Sequence, residues 1–125
     1  TEADVILLDA YDAQGLPPPL CSSAFYADCQ RALGARGVLA ANLWNGTPDR
    51  GVYIDRLNGL FDGRVWWSKP KDATNLVVFA VQDARFFPRW SRLAAQAQAL
   101  DSEYSLGLAQ VVRDLRDRIP VADVP

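Results

Sequence analysis

The sequence predicts an α/β fold: a four-stranded mixed sheet, two parallel strands plus an antiparallel hairpin, with flanking helices. Three observations carry this. Val5-Ile6-Leu7-Leu8 is an unbroken apolar run, the habit of a strand buried on both faces of a parallel sheet. A second run, GVLAANL at residues 37–43, follows a stretch of helical periodicity, and strand–helix–strand implies a right-handed parallel crossover. Finally, strand-like segments at 64–69 and 75–81 are separated by residues 70–74 alone, a connection that suits only a hairpin.

Each element has its own signals. The first strand, residues 4–9, ends on Asp9, and Gly15 with Pro17, Pro18 and Pro19 stops any regular structure. Ser22 is placed as an N-cap. Phe25, Tyr26, Cys29, Ala32 and Leu33 then form one helical face, with Gly34 and Gly37 as stop signals. Asn45-Gly46 reads as a turn, and Thr47-Pro48 as N-cap and N1 of a second helix. Val52, Tyr53, Leu57, Leu60 and Phe61 supply its apolar stripe, and Gly63 closes it. Pro88 opens a helix through Trp90, Leu93, Ala94 and Ala97 to the region of Leu100, where Asp101-Ser102 read as break and recap. Tyr104, Leu108, Val111, Val112 and Leu115 mark a last helix. Its segment 113–118 alternates charge, as a solvated, ion-paired face does, and residues 119–125 should fray.

The 125 residues make one domain's worth of chain, 1–125, with 50% hydrophobic and 22% charged residues. Net charge is -2 and the basic residues are scattered, which argues against a nucleic-acid partner. No apolar run approaches the ~20 residues of a membrane span, so no membrane partner is expected. There is no histidine, which excludes Ser-His-Asp and Cys-His catalysis and argues against a zinc site; no metal is expected. Cys21 and Cys29 read as reduced thiols of a cytoplasmic protein. A chain that lacks Met and opens directly into a buried strand reads as a fragment of a longer protein.

Asp9 and Asp12 fall at the C-terminal end of a central strand, where open α/β sheets bind ligands. Taken alone, Asp at such a place is more often a turn or cap residue. The context adds specificity. Asp9-Ala10-Tyr11-Asp12-Ala13-Gln14-Gly15-Leu16 is followed by Leu20-Cys21-Ser22-Ser23-Ala24-Phe25-Tyr26 and, after a helix, by Gly37-Val38-Leu39-Ala40-Ala41-Asn42. In order and spacing this resembles the spermidine synthase (polyamine aminopropyltransferase) family, whose pattern is D-x-x-D-P-x-G-P, then L-F-[TS]-x-x-F-Y, then G-x-L-x-x-Q. Ala13 and Leu16 stand for the family's prolines, Cys21 for its Phe and Asn42 for its Gln. In the hairpin the family's P-x-Y-P-x-G tyrosine position holds Asp72, beside the cationic Lys71, so the chain looks closer to a divergent, spermidine synthase-like branch.

The resemblance implies the C-terminal half of a Rossmann-like, S-adenosylmethionine-dependent methyltransferase-type fold, with sheet order first, second, fourth, third strand. It implies transfer of an aminopropyl group from decarboxylated S-adenosylmethionine to a small-molecule polyamine. Asp9 matches the catalytic aspartate, while Asp12 and Asn42 match substrate-binding positions. Among the tryptophans, Trp44 is the pocket candidate; the others suit core or interface. The family's G-x-G-x-G turn is absent, since no Gly-x-Gly occurs. Hence no cofactor is expected to bind this chain alone, no cofactor-binding residue is assigned, and activity is expected of the full-length protein rather than the isolated chain. Without the neighbouring strand of the family's sheet the first strand becomes an edge, and pairing with a second copy would give a homo-oligomer. Two other readings remain open: a different S-adenosylmethionine-dependent transfer on the same fold, and a non-catalytic α/β module.

Overall fold

A computed structural model describes residues 1–44, 47–69 and 75–118. The Asn45-Gly46 turn, the hairpin loop with Lys71 and Asp72, and residues 119–125 lie outside the described residues.

The elements are β1 (Ala3–Leu8), a 3-10 turn (Pro18–Leu20), α1 (Ser23–Ala32), β2 (Leu33–Leu43), α2 (Arg50–Leu60), β3 (Val65–Ser68), β4 (Leu76–Val81), α3 (Trp90–Tyr104) and α4 (Leu108–Arg116). The sheet order is β1-β2-β4-β3. β1 runs parallel to β2, and β4 is antiparallel to both β2 and β3. The two parallel strands, the hairpin and the strand order are those expected, and the flanking helices agree with a Rossmann-like methyltransferase-type fold.

Alternation along β2 and β4 builds the core. Leu39, Ala41 and Leu43 point to the same side as Leu76, Val78 and Ala80, and all are buried. Tyr26 and Cys29 of α1, Ile54 and Leu57 of α2, Phe61, and Val65 and Trp67 of β3 close over that face. Fully burying a Leu, Ile or Phe side chain stabilises by about 1.5–3 kcal/mol, so Leu39, Ile54, Leu57 and Phe61, each 0% exposed, anchor the two layers. Cys21 and Cys29 are free and buried, and burial pushes the Cys29 thiol up. No helix among the described residues is long and apolar enough to cross a membrane.

Five local expectations are corrected. β1 is not buried on both faces: Ile6 and Leu8 pack on the core, whereas Val5 and Leu7 are 58% and 76% exposed. The cause is position, since β1 is the sheet edge and pairs with β2 alone. β2 begins at Leu33 rather than at Gly37. Ala3 pairs with Leu33 but Val5 with Val38, so β2 carries a bulge. Gly37 is required there because a Cβ would lie 2.8 Å from Leu33 Cδ2 and 3.1 Å from the Ala3 carbonyl oxygen.

Thr47 does not cap α2, whose N-cap is Asp49 at φ 60 with no side-chain hydrogen bond. Thr47 is instead buried and hydrogen-bonded to Tyr11. Asp101-Ser102 do not break α3, which continues through Tyr104 to Ser105 at φ 53. The Asp101 carboxylate caps the next helix through space, accepting from Leu108 N at 2.7 Å and Ala109 N at 2.8 Å. Segment 113–118 is only partly a solvated face. Asp117 pairs with Arg116, but Asp114 accepts from Ser68 Oγ at 3.1 Å, and Arg118 lies over the Trp66 and Trp67 rings at 5.3 and 5.1 Å. These contacts pin α4 to β3.

Two predictions follow from this geometry. Gly37→Ala destabilises by about 1–3 kcal/mol through overpacking, whereas Gly59→Ala, with nothing within 4 Å of its Cβ, stabilises by about 0.5–1 kcal/mol. Urea unfolding midpoints of the two variants move in opposite directions. Hydrogen bonds from the Ala109 and Leu108 amides hold the Asp101 carboxyl below the usual carboxylate range. A depressed folded-state value contributes stability above the unfolded value, near 4, and that contribution is lost as pH falls through the folded value. Asp101→Ala therefore lowers the thermal midpoint at pH 7, and the gap from the parent chain narrows below about pH 4.

Candidate functional site

The site is assembled where β1 and β2 end. Their parallel register sets Leu8 opposite Ala41, so the next residues on each strand, Asp9 and Asn42, meet. Asn42 Nδ2 donates to Asp9 Oδ1 at 3.1 Å. That pairing fixes the amide: its oxygen is buried without a hydrogen-bond partner among the described residues, and its nitrogen serves the carboxylate. Asp9 itself is exposed rather than buried, because β1 is an edge and its C-terminal end faces solvent.

Asp12 stands three residues on, at a tight reversal. Its N–H donates to the Gly15 carbonyl at 2.9 Å and its own carbonyl accepts from Gly15 N at 3.2 Å. Gly15 has φ 119, which a side chain rarely tolerates. Asp12 Oδ1 also accepts from Gln14 N at 2.8 Å. Asp12 is thus the turn residue that its type favours, and it also lines the cleft.

That cleft encloses about 330 Å³ and is lined by Asp9, Tyr11, Asp12, Asn42, Trp44 and Asn75. The three candidate residues are therefore together, and Trp44 joins them, 46% exposed. Two carboxylates, two amides and two aromatic rings line it, with no Lys or Arg among the described lining residues. Such a surface favours cations: carboxylates supply charge, and an aromatic face attracts an ammonium. Among the described residues, no group of three or more His, Cys, Asp or Glu could hold a metal ion.

Tyr11 is the residue that sequence reasoning missed. Its hydroxyl donates to the Asn42 carbonyl at 2.9 Å and accepts from Trp44 N at 2.7 Å. It also contacts Thr47 Oγ1 at 3.1 Å. A phenol has one proton to give, and Asn42 takes it, so Thr47 is the donor in that third bond. The Tyr11 and Trp44 rings meet edge to face, centroids 5.5 Å apart at 82°. The available signal was an aromatic residue set between two strand-end carboxylates.

A four-stranded mixed sheet with flanking helices makes this an α/β protein whose fold is consistent with the Rossmann-like methyltransferase class. No protein-family model matches the chain. Curated relatives do match. The polyamine aminopropyltransferase of Chromobacterium violaceum is 30% identical over 113 residues, 90% of this chain and 43% of that protein. Those of Neisseria meningitidis serogroups A and B are each 29% identical over 117 residues, 94% of this chain and 44% of theirs. That of Nitrosococcus oceani is 50% identical over 36 residues. These relatives support a spermidine synthase-like family for the chain, which matches a C-terminal part of them. It spans less than half the length of the relatives it matches over most of its own.

Tyr11→Phe tests the knot that holds the site. It strips partners from the Trp44 amide, the Asn42 carbonyl and the largely buried Thr47 hydroxyl. The expected loss is about 1–3 kcal/mol of unfolding free energy, read by urea denaturation. Thr47→Val, which removes only one of the three bonds, costs less.

Proposed function

We propose that this chain forms the acceptor side of an aminopropyltransferase. Decarboxylated S-adenosylmethionine would be the donor and a polyamine or related small amine the acceptor. The observation that carries the reading is the Asp9–Asn42 pair, at 3.1 Å, in a cleft without basic side chains among its described lining residues. The curated relatives named polyamine aminopropyltransferase support the same reading.

The chemistry needs a neutral amine, yet alkyl amines titrate near 10 and are charged at pH 7. A carboxylate attracts the ammonium, orients it and takes its proton as attack proceeds. One Asp9 oxygen is engaged by Asn42, and a carboxylate has about four lone-pair sites, so Asp9 can also accept the amine. The amine lone pair then forms a bond to the aminopropyl carbon next to sulfur. The carbon–sulfur bond breaks with its electrons returning to sulfur, the sulfonium becomes a neutral thioether, and the proton passes to Asp9. Asp12 adds a second negative charge to the cleft for the far ammonium of a diamine, and Trp44 offers a ring face beside it.

In the complete enzyme that carries this segment, Asp9→Asn keeps the far-ultraviolet circular dichroism spectrum and lowers aminopropyl transfer by about 10²–10⁴-fold, the usual effect of removing a positioned base. Near-normal turnover in that variant would reject the role of Asp9.

A further inference from the structure

The other end of the sheet holds a second cleft with the opposite charge. Gln82 N donates to the Gly37 carbonyl at 3.0 Å and Val38 pairs with Val81, so the β2 bulge meets the segment joining β4 to α3. Arg36 of the bulge, Phe86, Phe87 and Arg89 of the connection, and Arg92 of α3 line a space of about 400 Å³. Five residues of β2, 37–41, separate Arg36 of this cleft from Asn42 of the acidic one, roughly 20 Å of strand.

Several features converge there. Among the described residues, no carboxylate lies within ion-pair distance of Arg36, Arg89 or Arg92. The nearby acid, Asp83, already accepts from Arg85 N at 2.9 Å and Arg85 Nε at 3.5 Å. α3 starts between Arg89 and Arg92 with no side-chain cap, so its first-turn amides and the positive end of its dipole lie among these cations. Phe86 is held edge-on against Trp66 at 5.7 Å, whereas Phe87 is 82% exposed. A chain of net charge -2 thus gathers three guanidinium groups, of which Arg36 also feels the Asp83 charge, with an open helix N-terminus and a bare aromatic ring around one cleft.

We propose that this cleft binds a phosphate-bearing ligand with a flat ring, of the nucleotide class. The guanidinium forks and the α3 amides take the phosphates, and Phe87 stacks on the ring. Arginine suits this role because its planar donors match phosphate oxygens in pairs. A space of this size lies within the range of small-molecule sites. An exposed aromatic beside cations is how proteins hold a base without reading its edges.

The test is calorimetric titration of the chain with ATP and with inorganic pyrophosphate, in low salt without divalent cations. ATP is expected to bind saturably. The triple variant Arg36→Ala, Arg89→Ala, Arg92→Ala weakens both ligands by at least about tenfold, and Phe87→Ala weakens ATP by about tenfold while sparing pyrophosphate. All four side chains are exposed, so the variants keep the parent circular dichroism spectrum. Absence of saturable ATP binding at about millimolar concentration overturns the proposal, as does unchanged affinity in the triple variant. Tighter binding of an oligoglutamate peptide than of ATP, indifferent to Phe87→Ala, also overturns it and points to an acidic protein partner.

Discussion

The hydroxyl of Tyr11 is the point on which the site depends. It sits in the loop after β1 and bonds to the backbone at the end of β2 and to the side chain that leads into α2. With one donor and two acceptors used, it has no hydrogen-bonding capacity left over. The loop after β1 is thereby held through one oxygen atom to Asn42, Trp44 and Thr47, more than 30 residues on in the chain. The Asn42 amide can then be aimed at Asp9 because its backbone is fixed on both sides, by the sheet and by Tyr11. The cleft is acidic by side chain but rigid by backbone, which is how a site on an exposed edge keeps its geometry.

The small net charge conceals a strong segregation. Asp9 and Asp12 lie where β1 and β2 end, while Arg36, Arg89 and Arg92 gather where β2 begins and β4 ends. β2 runs between the two clefts as a single strand paired on both edges. Ligands of opposite charge would thus be drawn to opposite ends of the same sheet, and each end repels the ligand of the other.

Much of this was legible in the chain. The apolar runs gave four strands because length and β-branched content separate buried strands from helices, and the hairpin followed from a connection too short to cross over. Ser22 capped α1 as expected, its Oγ accepting from Phe25 N at 3.1 Å. The nearness of Asp9 and Asn42 was legible as two strand ends in a parallel pair. Three of the misses share one cause, a residue whose local habit is overridden by a tertiary partner, and the fourth lacks the partner its habit calls for. Gly37 suggested a helix stop, but it answers to the closeness of Leu33 and Ala3. Thr47 looked like a cap, but Tyr11 claims its hydroxyl. Asp101 looked like a breaker, but its acceptors serve amides seven and eight residues away. Leu7 looked like core, but no described element covers its face.

The attachment of α3 and α4 bears on how the molecule breathes. Ala97 is the one buried residue across the described parts of both helices, and α4 reaches the sheet through Ser68–Asp114 and the Arg118–tryptophan stack. The Asp101 clasp joins the two helices to one another rather than to the core. With a single buried residue between them, the two helices have a smaller stake in the core than α1 and α2, which each carry at least two. Their amide protons are expected to exchange sooner than those of β2 and β4. The chain is thus a sheet with α1 and α2 packed on its core side and a helical hairpin whose attachment, through Asp114 and Arg118, lies at the far edge from the acidic cleft.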